Sequence, residues 1–347
     1  MKKKTWIFII VAVLILLAVL ILFISNFSIR YVNKINGSVH YNENNLYIPY
    51  SKYLFEISED GMITQYNISR LGEKRSIEKA TTFRLNFSVK KYISWELFIT
   101  ENDDIMFGDI KGTEHKKLGK VKNVECISLG KNEKGDLIRS AVVTSDGLLY
   151  VQGDNSTGAL GIEEKQVNNE FVQVPNLQNI VKAVCGINCI LVLNADGEVF
   201  ISGTLGELSY QTFTKLEVPE KVKDISASDT TETLLALDTS GNVYEIGVTF
   251  FTKDYYDEWT KYKDVLFYSS FHKISKLKNI VSITTFKIAA CAIDKDGKVF
   301  YWGAQMTGKS TELKKVFKCV YGLPKYNSVW ISGYFYVLSD DKITVYS

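Results

Sequence analysis

The chain has 347 residues, in which 41 lysines and arginines balance 39 aspartates and glutamates for a net charge of +2. Past Lys2, Lys3 and Lys4, the balance is 38 basic to 39 acidic residues. Proteins that bind nucleic acid through its phosphates need a basic surface, so this composition argues against a nucleic-acid partner. The length also exceeds that of one small domain.

The N-terminus combines a short basic tail, residues 1–5, with an uninterrupted apolar run over residues 6–24. At 1.5 Å per residue, a helix over this run measures about 28 Å, close to the roughly 30 Å core of a bilayer. The run therefore predicts a transmembrane helix in contact with lipid. Its basic flank favours a cytoplasmic N-terminus, which puts the rest of the chain outside the cytoplasm.

A cleaved signal peptide is the alternative for this segment. The apolar region of a signal peptide usually has only about 7 to 15 residues and precedes a cleavage site with small residues. The run here is longer, and residues 25–28 lack such a site. We therefore expect a retained, single-pass anchor in the cell membrane.

After a predicted tether, residues 25–45, one hairpin pattern recurs seven times. Each copy has a short apolar strand, a tight turn and a second strand rich in β-branched and aromatic residues. In most copies an Asp-Gly or Ser-Gly pair supplies the positive φ that such a turn requires. The copies span residues 57–66, 99–108, 143–153, 189–203, 237–247, 293–303 and 338–346.

The spacing of these turns indicates the architecture. Markers at Gly61, Asp104, Gly147, Gly197, Gly241, Gly297 and Asp341 are separated by 43, 43, 50, 44, 56 and 44 residues. A period in the forties is typical of propeller blades. Similar triplets at residues 122–124, 178–180, 223–225 and 278–280 indicate further strands in each unit. We predict an all-β, seven-bladed β-propeller over residues 46–347, preceded by one transmembrane helix.

Three segments carry a resemblance to a known family: Val184-Cys185-Gly186, residues 296–303 and the glycine-rich residues 153–161. They resemble the repeats of the regulator of chromosome condensation family, which are seven-bladed propellers, although Cys189 stands where that family usually has histidine. The resemblance covers roughly residues 121–303. Together with the anchor and the abundance of Lys, Asn and Ile, it suggests a bacterial-type, membrane-anchored member.

The resemblance implies two functional precedents. One is guanine-nucleotide exchange on a small nuclear GTPase with chromatin binding, which conflicts with the anchor and the neutral charge. The other is inhibition of β-lactamases by secreted bacterial members, which fits the predicted compartment. No inhibitory motif of that kind is identified in this sequence residue by residue.

An insertion between the fifth and sixth hairpins, residues 248–275, holds nine aromatic residues among mixed charges. Tyrosine and tryptophan combine apolar area with a polar tip, which suits the recognition of sugars and protein surfaces. In the alternative, about half of these aromatics are ordinary strand residues of a blade. Our candidate partner-binding residues are Tyr255, Tyr256 and Trp259.

Residues 303–310 satisfy the phosphate-binding pattern G-x-x-x-x-G-K-S. That motif requires a strand leading into a helix in an α/β unit. Here the strand belongs to a hairpin ladder, and Gly303 and Gly308 have the same separation as Gly153 and Gly158. No nucleotide is therefore expected.

No catalytic, metal or cofactor site is predicted. The three histidines lie outside metal and catalytic motifs, and acidic pairs such as Asp103-Asp104 and Asp340-Asp341 occupy turn positions. Five cysteines in strand-like runs are expected to be small buried residues, with a disulfide left open. They are Cys126, Cys185, Cys189, Cys291 and Cys319.

The sequence thus predicts a membrane-anchored, extracytoplasmic binding or scaffold propeller that recognises a protein or glycan surface without catalysis. One alternative is a propeller hydrolase of cell-surface polysaccharide, which requires carboxylates from three or more blades to converge. A second is an inhibitor of a secreted or periplasmic enzyme. A third is a structural subunit whose transmembrane helix contacts other helices.

Overall fold

A computed structural model gives the fold. It describes residues 30–31, 34–50, 52–71, 74–112, 114–132, 135–163, 168–248, 267–286, 289–306, 313–321, 328–331, 335–339 and 341–346. Within these ranges, no helix has the length and apolar character needed to cross a bilayer. The predicted transmembrane helix, residues 6–24, lies outside them.

The described residues form seven β-sheets, which confirms the predicted all-β, seven-bladed propeller. Two short strands, β1 (Arg30–Tyr31) and β2 (Val39–His40), precede the blades. Blades 1 to 6 each contain four consecutive strands, and blade 7 contains three strands from the end of the chain. Blades 1 to 3 comprise β3 (Leu46–Tyr50), β4 (Tyr53–Ile57), β5 (Ile63–Leu71), β6 (Lys74–Phe83), β7 (Val89–Ser94), β8 (Leu97–Thr100), β9 (Asp104–Phe107), β10 (Lys116–Lys120), β11 (Val124–Lys131), β12 (Leu137–Thr144), β13 (Leu149–Gly153) and β14 (Asn168–Gln173). Blades 4 to 7 comprise β15 (Ile180–Cys185), β16 (Cys189–Asn194), β17 (Val199–Leu205), β18 (Leu208–Leu216), β19 (Val222–Ala227), β20 (Thr233–Asp238), β21 (Val243–Val248), β22 (Phe267–Lys273), β23 (Ile280–Phe286), β24 (Ala289–Asp294), β25 (Val299–Met306), β26 (Leu313–Tyr321), β27 (Ser328–Ile331), β28 (Phe335–Ser339) and β29 (Lys342–Tyr346).

Strands from both ends of the chain close the ring. β2 pairs antiparallel with β29 and supplies the fourth strand of blade 7. β1 pairs in parallel with β26 at the edge of blade 6. On the other side of the seam, the Tyr336 hydroxyl of β28 donates a hydrogen bond to the Tyr53 carbonyl of blade 1, at 3.0 Å. The last repeat has only three strands of its own, so part of the segment predicted as tether is paired within the ring.

Each blade is antiparallel, so its connections emerge on two opposite sides. The first strands of neighbouring blades, such as β11, β15, β19 and β23, contact one another and are the inner strands of the ring. Turns between second and third strands, together with the linkers between blades, lie on one side, which we name the turn face. Turns between first and second strands, and loops between third and fourth strands, lie on the other side, the loop face.

The core lies between blades because the middle strands bury both of their surfaces. Along β16, Leu191 and Leu193 pack in a cluster shared with blade 5, whereas Ile190 and Val192 pack in a cluster shared with blade 3. Alternate side chains of a strand point to opposite sides of the sheet. A strand with apolar neighbours on both sides therefore reads as a continuous apolar run, as residues 189–193 do.

A glycine ends five of the seven hairpins, and at Gly203 packing requires it. Gly203 has a φ of +100°, and a Cβ placed on it would lie 2.2 Å from the Asn188 carbonyl oxygen. Contacts that short do not occur, and positive φ is costly for residues with a Cβ. This close approach of the third strand to the second explains why glycine recurs there in the sequence.

Backbone hydrogen bonds link consecutive blades on the turn face. The Ile180 amide of blade 4 donates to the Gly147 carbonyl of blade 3, at 3.0 Å. The Asn179 carbonyl accepts from Ala195 in the hairpin turn of its own blade, at 2.8 Å. The start of an inner strand is thus bonded to two hairpin turns at once, and the same arrangement joins blades 4 to 5 and 5 to 6.

This arrangement corrects two details of the predicted repeat. The residue equivalent to the turn glycine in blade 2 is Asp103, with a φ of +63°, and not Asp104. In blade 5, Thr239 donates to the carbonyl of Lys221, so the predicted triplet 223–225 is three residues out of register. Aspartate and asparagine tolerate the left-handed backbone, which is why glycine is dispensable at some turns.

Candidate functional site

The candidate residues Tyr255, Tyr256 and Trp259 lie outside the described part of the chain, and so their role stays a prediction. The described residues nearest to these three in the sequence are Val248 and Phe267, which are paired across β21 and β22. This pair lies at the loop face of blade 5. The flanking Phe271 is buried in the core between blades, so this aromatic residue of the insertion is an ordinary strand residue.

The glycine-rich loop after β13 is held to its neighbours by its own polar side chains. Asn155 is buried, and its side chain accepts a hydrogen bond from the Leu160 amide and donates one to the Ile162 carbonyl. Thr157 donates to the Asn188 carbonyl of blade 4 at 3.1 Å. These contacts give the loop a role in joining blades 3 and 4.

The phosphate-loop pattern begins inside a strand. Gly303 pairs with Val316, and β25 continues in register with β26 as far as Met306. A phosphate-binding loop instead presents several backbone amides to the ligand at the start of a helix. Residues 307–310, which include the rest of the pattern, lie outside the described residues.

The described cysteines are free thiols, and three of the four are buried. Cys185 packs between blades 3 and 4, and Cys189 packs between blades 4 and 5, so their side chains point apart. Burial raises the pKa of the Cys185 thiol to about 11 and that of Cys189 to about 12. They act as small core residues, as predicted. The side chain of Cys319 lies outside the described residues.

Several carboxylates of the turn face are held in local hydrogen bonds and ion pairs. Asp103 pairs with Lys90 at 2.7 Å, and Asp104 pairs with Lys117 at 2.7 Å. The hydrogen bond from Lys90 is the main cause of a lowered pKa at Asp103, and that from Lys215 has the same effect at Glu198. Carboxylates with lowered pKa values are poor general acids at neutral pH.

Two open cavities lie on the turn face. The first, of about 580 Å³, lies between blades 1 and 2 and is lined by residues 57–61, residues 84–89, Asn44, Leu46 and Tyr92. It exists because this junction lacks the close stacking seen at Gly147: nothing lies within 4 Å of a Cβ built on Gly61. The second, of about 540 Å³, lies beside residues 196–199 and 215–221.

The carboxylates of these cavities come from few elements. The carboxylates of the first cavity, Glu59 and Asp60, belong to one hairpin turn, and Asp60 is ion-paired with Arg84. The carboxylates of the second cavity belong to blade 4 and to the linker that follows it. Among the described residues, neither cavity collects carboxylates from three blades, and no cluster of three metal-ligating side chains is present.

Arg139 is a buried charged residue that no sequence pattern singled out. It occupies the ladder position of Cys189 and Thr233 in the next two blades, opposite the closing glycine. Its guanidinium donates to the Ile187 carbonyl of blade 4 at 3.0 Å, and its Nε has no partner among the described residues. Its stem fits because residue 130 is glycine: a Cβ there would meet Arg139 Cγ at 2.6 Å.

Fold and surface together define a seven-bladed β-propeller with a closed seam, two open cavities and a loop-bearing face. The chain matches no protein-family model. Its fold is similar to that of human WBSCR16, with a TM-score of 0.59 and 13% identity over 87% of this chain and 86% of that one.

Two yeast structures share the same fold. Prp20p from Saccharomyces cerevisiae, described with its binding to Gsp1p and histones, aligns with a TM-score of 0.57 and 14% identity over 86% of this chain and 81% of that one. Yeast RCC1 (Prp20) in complex with Kap60 aligns with the same TM-score and identity, over 86% and 79%. These similarities confirm the fold predicted from the repeats.

Proposed function

We propose that this protein is a membrane-anchored propeller that binds a protein partner and acts as a scaffold, without catalysis. The observation that carries the proposal is that the described polar groups named above bond within the fold. Buried ones such as Asn155 and Arg139 join blades, and the turn carboxylates bond locally. We therefore assign the binding function to the broad surface of the ring. Prp20p, with the same fold, binds the proteins Gsp1p and histones.

The proposed location is the outer side of the cell membrane, with residues 6–24 as the anchor. This part of the proposal rests on the apolar run and its basic flank. The test is to express the full chain and a variant in which residues 6–24 are deleted, and to follow both by carbonate extraction and by protease added to intact cells. We expect the full chain to stay with the membrane and to be digested from outside. Release of the full chain by carbonate contradicts the anchor, and protection of the membrane-bound chain from the protease contradicts the outer location.

The proposed contact surface includes the insertion with Tyr255, Tyr256 and Trp259. The experiment is crosslinking on intact cells with the purified ring, residues 30–347, followed by identification of the captured protein. The comparison is the ring carrying Tyr255→Ala, Tyr256→Ala and Trp259→Ala, with folding of both checked by circular dichroism. We expect one saturable partner, captured less by the folded variant. Equal capture by both proteins removes these residues from the site, and no saturable capture contradicts the binding function.

A further inference from the structure

The inner strands of five consecutive blades share an unusual feature at their start. In blades 2 to 6 the pairing register shifts across the second residue of the inner strand. A bulge of this kind leaves one residue out of the ladder and redirects its side chain. All five of these residues are exposed. They are Lys90, Glu125, Val181, Lys223 and Val281, which we name the bulge arc.

Polar contacts join neighbouring blades beside the bulge arc, from blade 2 to 3, from blade 4 to 5 and from blade 5 to 6. Lys91, next to the bulged residue of blade 2, donates to the Glu125 carbonyl of blade 3 at 3.0 Å. Lys182 of blade 4 pairs with Asp224 of blade 5 at 2.6 Å. Lys223 of blade 5 donates to the Ile280 carbonyl of blade 6 at 3.3 Å. Side chains at this level therefore reach from one inner strand to the next.

The bulge arc exposes aliphatic surface. Val181 is 48% exposed and Val281 is 52% exposed, and Leu46, on the inner strand of blade 1, is 44% exposed. These are the exposed large hydrophobic residues of the described part of the chain, and all three lie at the turn-face ends of inner strands. They lie at the same end of the inner strands of blades 4, 6 and 1, so an extended partner that follows this edge of the ring can cover them one after another. Leu46 also lines the cavity between blades 1 and 2, so the region extends into that cavity.

The charge of the bulge arc favours carboxylates. Lys90 and Lys182 are already paired with Asp103 and Asp224. Lys91 and Lys223 instead bond to backbone carbonyls and have no carboxylate partner among the described residues. These two ammonium groups lie on the same ring as the exposed valines, and the bulge arc itself has one carboxylate outside these ion pairs, that of Glu125.

We propose that the bulge arc is the docking site for an extended, acidic protein segment that also carries aliphatic side chains. Carboxylates of the segment pair with Lys91 and Lys223, and its aliphatic side chains cover Val181, Val281 and Leu46. The inference rests on the proposed binding function and names the chemistry of the partner. Charge complementarity of this kind sets specificity and raises the rate of association.

The test uses a fluorescent peptide in which glutamate alternates with valine, titrated with the purified ring and followed by anisotropy. One variant carries Lys91→Glu and Lys223→Glu, and a second carries Val181→Ser and Val281→Ser. The matched control carries Lys116→Glu and Lys273→Glu, which makes the same change of charge at exposed lysines of the outer strands β10 and β22. Urea unfolding of all four proteins verifies that they fold.

We expect the lysine variant to bind the peptide at least about tenfold more weakly and the control to bind within about twofold of the parent. The valine variant should also bind more weakly, and added salt should weaken binding by the parent. The proposal is overturned if the parent binds no peptide, if a lysine-valine peptide binds equally well, or if the control loses as much affinity. It is also overturned if an oligonucleotide or anionic vesicles bind this surface more tightly than the peptide. Failure here, with a partner still captured on cells, leaves the proposed function standing.

Discussion

At the scale of single residues, the two glycine positions of the repeat differ in what they demand. The turn glycine Gly61 needs only a positive φ, because nothing lies within 4 Å of a Cβ built on it. Gly203 needs both a positive φ and the space that a Cβ would fill. The first requirement is local and also met by Asp103 and Asp341, whereas the second depends on a neighbouring strand.

We therefore predict that Gly203→Ala lowers the free energy of unfolding by about 3 kcal/mol or more, since the methyl group collides with backbone. Gly61→Ala, the matched control, should cost only about 1 to 2 kcal/mol, the price of positive φ alone. Urea unfolding followed by circular dichroism measures both. Equal losses for the two variants would contradict this account of the closing glycine.

The buried thiols predict a dependence on alkaline pH. In the folded protein their pKa values are about 11 for Cys185 and about 12 for Cys189, whereas a thiol of the unfolded chain ionises near pH 8.5. Above pH 8.5 the unfolded chain loses protons that the folded protein retains, so the free energy of unfolding falls as pH rises toward 11. Urea unfolding at pH 8 and near pH 10.5 measures the fall, which should be shallower for a Cys185→Ala, Cys189→Ala variant.

The same thiols should resist alkylation. At pH 8 we expect iodoacetamide to modify the half-buried Cys126 before Cys185 or Cys189, with all three reacting in urea. Peptide mass spectrometry of timed samples measures this order. Early modification of Cys189 in the folded protein would show that its site is open to solvent.

At the scale of elements, the N-terminal strand makes the seam. Ile35 and Val39 are buried among side chains of blades 7 and 1. The Asn36 amide and carbonyl also bond to Arg75 and Ile77 of β6, at 3.0 and 2.9 Å. Residues 34–40 thus lie between the last blade and the first and bond to both.

We predict that a chain beginning at residue 42 unfolds at a clearly lower urea concentration than one beginning at residue 30. The shorter chain exposes the edge of β29 and loses two buried aliphatic side chains, each worth about 1.5 to 3 kcal/mol. The urea midpoints of the two proteins are the measurement. Matching midpoints would mean that β2 is dispensable for closing the ring.

These elements show how much of the fold could be predicted from the sequence. The seven hairpins were predictable because the two strands of each hairpin and the turn between them lie within about fifteen residues of one another. The fourth strand of blade 7 was not, since Val39 and its partner Ile343 lie at opposite ends of the chain. The bulge at Val181 depends on pairing with the next strand, and the burial of Arg139 depends on blade 4. Neither can be predicted from the pattern of residues along one strand.

At the scale of the whole molecule, the direction of β1 orients the ring relative to the proposed anchor. β1 runs parallel to β26, which as a fourth strand runs from the loop face to the turn face. β1 therefore begins on the side of the loop face, at the rim of blade 6. Only residues 25–29 separate Arg30 from the predicted anchor, and five residues extend over at most about 18 Å. If residues 6–24 form the proposed anchor, we expect the loop face to lie toward the bilayer and the bulge arc to point away from it.

We predict that a fluorophore on Glu207→Cys, at the loop face, is quenched more strongly by headgroup-labelled lipids than one on Asp146→Cys, at the turn face. The measurement uses the full chain in proteoliposomes, with a chain lacking residues 6–24 as the control for anchoring. Equal quenching, or stronger quenching at residue 146, contradicts this orientation. Loss of quenching at both sites in the control shows that the contact depends on the anchor.

The seam also has a mechanical consequence. A pull applied through residues 25–29 acts first on β1, along the axis that it shares with β26, so the hydrogen bonds between these two strands are loaded in shear. Residues 34–40, which bond to β29 and β6, take up the load next. In the described part of the chain, the load enters the ring at blades 6, 7 and 1. Four of the five residues of the bulge arc lie in blades 2 to 5, away from these points of entry.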